Sequence, residues 1–238
     1  MKLAILGYGK MGHEIERIAI SRGHEIVLII DVNNQHDFTK ENLRKADVVI
    51  DFSIPSSAVS NIKNCFLAEV PIVCGTTGWN KDLPEMSKLC KEQNQSLFHS
   101  SNFSPGVNIL FAVNEYLAEV LNNFPQYDVR MEEIHHTQKL DTPSGTAISI
   151  AEQIISRLDR KIAWSLAPEH SENSISIKAI REGDVKGIHE VVYESEEDYI
   201  SLKHFAKSRI GFASGAVLAA EFLKGKKGVF TMRDILGI

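Results

Sequence analysis

The chain has 238 residues, which is enough for one large domain or two modest ones with a substantial buried core. Its hydrophobic content of 43% and its charged content of 24% are ordinary for a globular protein. A formal net charge of −5 argues against a nucleic-acid-binding protein, because such a protein would present a basic face.

The cysteine pattern and the N-terminal residues indicate the cellular compartment. Cys65, Cys74 and Cys90 form no Cys-x-x-Cys pair, so neither a disulfide scaffold nor a zinc knuckle is expected. The stretch MKLAILGYGKMG lacks the features of a signal peptide, and no apolar run approaches membrane-spanning length. We therefore expect a cytoplasmic protein with buried, reduced thiols and no membrane contact.

The first half of the chain alternates strands with helices. Apolar runs predict strands over residues 2–6, 25–31, 46–53, 70–78 and 96–103. Helical spacing predicts helices over residues 10–23, 55–68 and 81–93. Strands separated by helices of this length form a parallel sheet that is covered on both faces, so we expect an α/β fold with a Rossmann-like, doubly wound sheet.

The first strand–helix junction carries a glycine pattern. It reads GYGKMG, so that Gly7, Gly9 and Gly12 form Gly-x-Gly-x-x-Gly, and Asp31 follows the next strand. Such a loop lets a pyrophosphate approach the helix N-terminus, and the acid can bind an adenosine ribose. A plain glycine turn is the alternative. Asp31 would repel a 2′-phosphate whereas Lys10 could hold one, so the residues favour NADH without excluding NADPH.

Two later loops lie where ligands of doubly wound sheets bind. CGTTGW (74–79) and SSNFSPG (100–106) both follow predicted strands and are rich in glycine and small hydroxyl residues. They predict contacts to the ribose or the nicotinamide, although ordinary turns would explain either loop alone.

The second half predicts a mixed or antiparallel sheet. Strands are expected over 127–134, 174–183, 187–195 and 198–206, with helices over 107–123 and 144–158. A sheet with one open face often packs against a second sheet, so this pattern favours oligomerisation through the second half of the chain. An alanine-rich helix over 211–225 could return to the first domain. We thus expect a dinucleotide-binding domain over 1–104 and 209–238, and a substrate-binding and oligomerisation domain over 105–208.

The stretch EEIHHTQKLDTPSGTA, residues 132–147, concentrates chemically active side chains. His135, His136 and Lys139 leave a strand end, where a loop can direct them toward a cleft. Histidine can donate a proton near neutral pH, and lysine can hold an anion or donate a proton when its pKa is lowered. One histidine alone would more often be structural, but the combination indicates a site.

The DTPSGTA segment predicts a helix start. Asp141 or Thr142 would be the N-cap and Pro143 the first helical residue. The N–H groups of Ser144, Gly145 and Thr146 would then lack intrahelical partners and could bind a carboxylate or phosphate. A capped helix that contacts only water is the alternative.

A metal site is not expected in this stretch. The one spacing with three donors combines Glu133 with His135 and His136. Neighbouring strand residues point to opposite faces, and the chain has no His-Glu-x-x-His pattern.

The segment EIHHTQKLDTPSGTA closely resembles the signature of the 4-hydroxy-tetrahydrodipicolinate reductase family, the dihydrodipicolinate reductases of lysine and diaminopimelate biosynthesis. The family pattern is E-x-H-H-x-x-K-x-D-x-P-S-G-T-A. Resemblance extends to the glycine loop, GTTG, SNFSPGVN, REGDVKGIHEV and GFASGAV, and so to essentially the whole chain. It implies NAD(P)H-dependent hydride transfer to a cyclic dicarboxylate imine, loss of the 4-hydroxyl group as water, and a homotetramer.

The resemblance also implies residue roles. His135 would be the catalytic proton donor and acceptor and Lys139 a proton donor, while Glu133 would support them. The substrate carboxylates would be held by His136, Ser144, Gly145 and Thr146. The nicotinamide dinucleotide would contact Gly7, Tyr8, Gly9, Lys10, Met11, Gly12, Asp31, Gly75, Thr76, Thr77, Ser100, Ser101, Asn102 and Phe103.

Some features depart from the family pattern, and two other functions are open. The glycine loop is one residue shorter than the common Gly-x-x-Gly-x-Met-Gly form, which leaves the cofactor preference open. Another two-domain NAD(P)-dependent oxidoreductase would share the first half but has no reason to carry HHxxK before PSGTA. A non-catalytic NAD-sensing regulator would bind NADH without turnover, and its histidine and lysine would be dispensable.

Overall fold

A computed structural model describes residues 1–169, 171–208 and 210–238. The chain divides into two compact units, Met1–Pro105 with Ile210–Ile238, and Gly106–Arg209. These bounds differ by one residue from those suggested by the sequence, and Arg209 itself lies outside the described residues. Within the described ranges, no helix combines the length and apolar character needed to cross a membrane.

Most of the described residues belong to strands or helices. The strands are β1 (Lys2–Leu6), β2 (Glu25–Ile30), β3 (Val48–Asp51), β4 (Ile72–Cys74), β5 (Ser96–His99), β6 (Asp128–His135), β7 (Ala163–Leu166), β8 (Ser174–Arg181), β9 (Ile188–Glu194), β10 (Tyr199–Phe205) and β11 (Gly228–Phe230). The helices are α1 (Lys10–Ser21), α2 (Lys40–Leu43), α3 (Pro55–Ala68), α4 (Leu83–Glu92), α5 (Pro105–Leu121), α6 (Gly145–Ile155), α7 (Ile210–Leu223) and α8 (Met232–Leu236).

The first unit is built on a parallel sheet with strand order β11-β5-β4-β3-β1-β2. Its strands are short apolar runs, and the side chains of consecutive residues pack in core clusters on opposite faces of the sheet. Leu97 packs in one core cluster with Ile62 of α3, and Phe98 packs in the other with Val217 of α7. Helices therefore cover both faces, which confirms the Rossmann-like sheet predicted from the sequence.

The register of this sheet gathers the strand ends. Leu6 pairs with Asp51, Asp51 with Cys74, and Cys74 with His99. The loops that follow these strands consequently start from one edge of the sheet, which is the edge where doubly wound folds bind ligands.

The second unit contains a mixed sheet with strand order β10-β9-β6-β8-β7. The central strand β6 runs antiparallel to β9 and parallel to β8. Along β6, Val129 and Met131 face the core with α5 and α6, whereas Arg130 is exposed. This confirms the predicted mixed sheet, and its register sets Glu133 opposite His189 and His135 opposite Arg181.

The elements that the sequence did not predict are short. They are β7, β11, α2 and α8, each three to five residues long. So few residues cannot display a hydrophobic period. Pairing with β8 and β5 fixes the strands β7 and β11, and N-caps at Thr39 and Thr231 begin the helices α2 and α8.

Candidate active site

Glu133 is the centre of a polar cluster in the second unit. Its side chain is fully buried on the core face of β6. The backbone N–H of Ser144 donates to its Oε1 over 3.0 Å, and Nη2 of Arg181 donates to the same oxygen over 3.0 Å. Burial by itself would raise the pKa of Glu133, but the contacts from His135, Ser144 and Arg181 outweigh it and lower the pKa to about 2. Glu133 is therefore a retained negative charge.

His135 contacts the other oxygen of this carboxylate. Its Nδ1 lies 3.2 Å from Oε2 of Glu133, which is an ion-pair distance rather than an aligned hydrogen bond, and neither atom has a hydrogen-bond partner among the described residues. The opposite ring nitrogen, Nε2, faces Gly187, where a Cβ would lie only 3.1 Å away. A carboxylate oxygen beside Nδ1 favours the tautomer with the proton on that nitrogen, and Nε2 lies on the opposite side of the ring from Glu133.

His189 joins the cluster from β9. Its ring lies 5.0 Å from that of His135, its Nε2 is 3.8 Å from Oε2 of Glu133, and the same nitrogen is 3.1 Å from Oγ of Ser144. Burial lowers the pKa of His189 to about 3, with the charge of His135 as the next cause. His189 is consequently neutral at physiological pH and acts as a hydrogen-bonding group.

The start of α6 differs from the prediction. The helix begins at Gly145, and Ser144 is its N-cap, because the Ser144 backbone is extended (ψ 152°) and its Oγ accepts the N–H of Ala147 over 3.2 Å. The predicted N-cap at Asp141 or Thr142, with Pro143 as first helical residue, is wrong. The N–H of Ser144 is also not open to a ligand, because it donates to Glu133.

Gly145, the first residue of α6, is exposed. A Cβ at Gly145 would have no heavy atom within 4 Å in the described structure, and Thr146 is half-buried beside it. We call Ser144, Gly145 and Thr146 the carboxylate cradle, because a helix N-terminus with hydroxyl groups favours an anion.

Lys139 has an internal partner that the sequence did not indicate. Its Nζ donates to both carboxylate oxygens of Asp141, over 2.8 and 2.9 Å. Burial alone would raise the pKa of Asp141, but the hydrogen bond from Lys139 lowers it, so the pair is ionic. His136 precedes this loop, is half-buried, and accepts the backbone N–H of Lys139 at its carbonyl oxygen over 3.1 Å.

Arg181 connects the cluster to the same loop. Its Nη2 donates to the carbonyl oxygen of Asp141 over 2.6 Å and to Oγ1 of Thr142 over 3.1 Å, besides its contact with Glu133. The guanidinium thus fixes the loop that carries Lys139 against the strand that carries His135.

Three potential metal ligands meet in the cluster. Glu133, His135 and His189 each place a ligand atom within 4.8 Å of the others. The third donor is His189 rather than His136, which the sequence suggested. Because the single carboxylate already neutralises Arg181, the arrangement favours hydrogen bonding over a divalent cation.

A separate cavity of about 510 Å³ lies in the first unit. It is lined by the predicted residues Gly7, Tyr8, Gly9 and Asp31, and by Leu6, Ile30, Val32, Gln35, Phe38, Phe52, Ser53, Ile54, Ser57 and Asn61. Gly7 has φ +83°, and a Cβ there would lie 2.3 Å from the carbonyl oxygen of Phe52. Glycine is therefore required at this turn, and the size and the acid suit the adenosine end of a dinucleotide.

Other predicted cofactor residues lie around the loops or in the core. Lys10 and Thr77 are exposed, as is Ser101. Gly75 packs on the Phe52 ring, and Gly12 lies under the carbonyl oxygen of Gly7. Met11 is partly buried against the core.

The loop after β5 is held by its own side chains. Oγ of Ser100 donates to the carbonyl oxygen of Asn102 over 2.7 Å, and Oδ1 of Asn102 accepts the N–H of Ser104 over 2.9 Å. Phe103 is buried between Phe52 and Phe98, so its side chain serves the core. For Phe103 the structure supports packing rather than side-chain contact with a cofactor.

Asp51 is a second buried carboxylate, below the loops of the first unit. Its Oδ1 accepts hydrogen bonds from the backbone N–H of Ser53 over 3.1 Å and from the hydroxyl of Thr76 over 3.4 Å. Its Oδ2 accepts a hydrogen bond from the side-chain amide of Asn61 over 3.2 Å. Burial raises its pKa, and these neutral donors only partly oppose the effect. Thr76 is thereby tied to the neighbouring loop, because its Oγ1 also accepts the N–H of Ser53 over 2.9 Å.

Sequence reasoning missed several site residues. Arg181, Gly187 and His189 come from β8, β9 and the turn between them, and in the sequence they stand out only as part of a family-like segment. No local signal indicates their role, because strand pairing brings them to β6. The cavity residues Ser53, Ser57 and Asn61 lie at or just after the end of the strand predicted over 46–53, so the argument that selected the other strand-end loops could have found them.

A parallel, nucleotide-type sheet in one unit and a buried cluster of histidines with a carboxylate in the other are typical of two-domain α/β oxidoreductases. Family models described as the N-terminus and the C-terminus of dihydrodipicolinate reductase match residues 1–103 and 106–236. The chain belongs to the dihydrodipicolinate reductase family.

Individual relatives agree with this family. A 4-hydroxy-tetrahydrodipicolinate reductase of Christiangramia forsetii is 48% identical, over 99% of this chain and 98% of the relative. One of Methanocaldococcus jannaschii is 35% identical, over 98% of this chain and 81% of the relative. A solved dipicolinate-bound dihydrodipicolinate reductase from Paenisporosarcina sp. TG-14 has a TM-score of 0.81 at 23% identity and covers 99% of both chains, which shows the shared fold.

Proposed function

We propose that the protein reduces 4-hydroxy-tetrahydrodipicolinate to tetrahydrodipicolinate with NAD(P)H, within lysine and diaminopimelate biosynthesis. Its relatives of 48% and 35% identity carry the name of this reductase. The observation that carries the proposal is the contact of His135 with the buried carboxylate of Glu133, next to the cradle of Ser144, Gly145 and Thr146.

The second unit is proposed to bind the substrate and to supply the proton. The reaction consumes a hydride and one proton, and the 4-hydroxyl group leaves as water. His135 is the proposed proton donor and acceptor, acting at Nε2, because Glu133 occupies the Nδ1 side. Lys139 is proposed to release Asp141 and either hold a substrate carboxylate or donate a proton. The cradle and His136 would neutralise the dicarboxylate.

The first unit is proposed to hold the cofactor. The cavity beside Gly7, Gly9 and Asp31 would bind the adenosine and the pyrophosphate. When bound, the nicotinamide supplies the hydride. Asp31 lines this cavity and would repel a 2′-phosphate, so NADH is the proposed preference, with exposed Lys10 as the group that could admit NADPH.

A homotetramer assembled through the second unit is proposed as well. The sheet face opposite α5 and α6 carries ion pairs, including Arg130 with Glu194 and Lys178 with Glu132. The edge strand β10 exposes Tyr199 and Phe205. One helical face and one open face support pairing with a second sheet. Light scattering after size-exclusion chromatography would test this, and a monomer would contradict it.

A cytoplasmic location is proposed from the thiols. Cys65, Cys74 and Cys90 are free and buried, which suits a reducing compartment. Fractionation with detection of the native protein would test it.

The function itself is tested by the oxidation of NADH and of NADPH with freshly prepared 4-hydroxy-tetrahydrodipicolinate. We expect substrate-dependent oxidation with both cofactors and a higher kcat/KM with NADH. Cofactor binding without any oxidation would instead favour a nucleotide-sensing regulator. A higher kcat/KM with NADPH would overturn the proposed preference but not the reaction.

A further inference from the structure

We propose that Glu133 is the positioning residue that couples the proton donor to the carboxylate cradle. The inference rests on the proposed function, because it concerns the same site. It assigns to one buried charge the orientation of both parts of the active site.

The two oxygens of Glu133 serve two different parts of the site. Oε2 faces the histidines, at 3.2 Å from Nδ1 of His135 and 3.8 Å from Nε2 of His189. Oε1 accepts the N–H of Ser144 and a guanidinium N–H of Arg181, both over 3.0 Å. The first oxygen therefore orients the proton donor, and the second fixes the residue that caps α6.

Strand geometry explains why this position can do both. Glu133 and His135 are two residues apart on β6, so their side chains share a face. The register places His189 directly opposite Glu133, and Arg181 opposite His135. Side chains from three neighbouring strands thus converge on one carboxylate.

His189 extends the coupling to the cradle hydroxyl. It contacts Oε2 of Glu133 and lies 3.1 Å from Oγ of Ser144, which already accepts the N–H of Ala147. When Nε2 of His189 donates to that oxygen, the hydroxyl hydrogen of Ser144 is left for a ligand carboxylate.

Stability alone does not require a carboxylate here. Apolar side chains of similar volume often replace buried ion pairs without loss of stability. What an apolar side chain or an amide lacks is the ability to accept hydrogen bonds on both oxygens. A glutamine would direct its NH2 group either at the histidines or at Ser144 and Arg181, so one half of the site would lose its acceptor.

The test compares Glu133→Gln and Glu133→Asp with Glu152→Gln, a matched control that removes one exposed carboxylate from α6 of the same unit. Each full-length variant is assayed for kcat and KM with 4-hydroxy-tetrahydrodipicolinate, for the Kd of dipicolinate by calorimetry, for the Kd of NADH, and for thermal unfolding.

For Glu133→Gln we expect kcat to fall about 100-fold and the dipicolinate Kd to rise about tenfold. The NADH Kd should stay within about twofold of the wild-type value, since the proposed cofactor cavity lies in the other unit. Glu133→Asp, which restores the charge at a shorter reach, should recover part of both losses. Glu152→Gln should behave as wild type.

Several outcomes would overturn the inference. One is a Glu133→Gln protein that matches Glu152→Gln in kcat and dipicolinate affinity. Another is a loss confined to only one of these two quantities, because coupling requires both. If Glu133→Gln does not fold, Glu133→Asp is the deciding variant. Losses of both kcat and dipicolinate affinity in Glu133→Asp support the inference, and a change in thermal unfolding alone contradicts it. Wild-type protein without turnover would refute the proposed function, whereas dipicolinate affinity would still test the cradle.

Discussion

Each unit buries one carboxylate near the carboxyl end of a strand, Asp51 in the first unit and Glu133 in the second. Both side chains are fully shielded from solvent. Among the described residues, the hydrogen-bond donors to Asp51 are neutral groups, and burial raises its pKa. Glu133 receives donors that include Arg181, and these outweigh burial and lower its pKa to about 2. The partners, rather than the depth of burial, decide the direction of each shift.

The difference matches the two tasks proposed for the units. The second unit keeps an anion that binds the guanidinium of Arg181 and contacts His135, in the region proposed for a dicarboxylate substrate. In the first unit, neutral donors to Asp51 connect the loops that carry Ser53 and Thr76, next to a cavity lined by Asp31. Under the proposed function, charge in one region and loop geometry in the other would define ligand binding.

The largest effect is expected at Lys139. Lys139→Ala should lower kcat about 100-fold or more and leave the NADH Kd unchanged, because the proposed cofactor cavity lies in the other unit. Lys139→Arg separates the two proposed roles: it keeps a charge for the carboxylate but cannot donate a proton. Near-normal KM with low kcat would assign proton donation to Lys139. Near-normal turnover in both variants would show that Lys139 neither holds the substrate nor donates the proton.

The next largest effect is expected in the pH dependence of the free energy of unfolding, which should differ between Glu133 and Asp51. The folded pKa of Glu133 is about 2 against an ordinary 4.5, so its stabilisation is present above pH 4.5 and is lost as the pH falls toward 2. The loss is on the order of 3 kcal/mol. In Glu133→Gln the free energy of unfolding should accordingly depend less on pH in this window.

The contribution of Asp51 to stability depends on pH in the opposite direction. Its folded pKa is raised, so its contribution is present below its ordinary pKa and is lost as the pH rises through the raised value. Asp51→Asn should consequently gain stability relative to wild type as the pH rises. Urea unfolding of both variants between about pH 2.5 and pH 7 measures these slopes. If the two variants change the slope in the same direction, the comparison between the carboxylates fails.

A smaller effect is expected for cofactor choice in the first unit. Asp31→Ser should lower the ratio of the NADPH Kd to the NADH Kd about tenfold, because it removes the charge that faces a 2′-phosphate. Asp37→Asn is the control, since this nearby carboxylate does not line the described cavity. Fluorescence titration measures the ratio, and equal ratios in the three proteins would remove Asp31 from cofactor selection.

The smallest effect is expected at the N-cap of α6. Ser144→Ala loses the hydrogen bond to the N–H of Ala147, which should cost about 1 kcal/mol of stability. It also removes a cradle hydroxyl, so the dipicolinate Kd should rise several-fold, as measured by calorimetry. Unchanged dipicolinate affinity would show that the hydroxyl does not contact the ligand.

The fold was largely predictable because several elements are periodic and because strands and helices alternate in the first half. Helices such as α1 and α4 and the strand β6 show clear patterns, and the order of elements indicates a parallel sheet followed by a mixed one. Short strands such as Gly228–Phe230 were missed, since pairing with β5 rather than local sequence fixes them.

The candidate site was only half predictable. The stretch with His135 and Lys139 stands out by composition, but its organising contacts do not. Arg181 and His189 are more than forty residues away in sequence and reach Glu133 through strand register. The exact start of α6 also escaped prediction, because the backbone N–H of Ser144 binds a distant carboxylate instead of continuing a local pattern.

The central claim is that His135 handles the proton while the other unit binds the cofactor. It is tested most directly by measuring kcat and the NADH Kd on one preparation of His135→Ala. We expect kcat to fall about 100-fold or more while the NADH Kd stays at the wild-type value. Near-normal turnover with 4-hydroxy-tetrahydrodipicolinate in this variant would contradict the account.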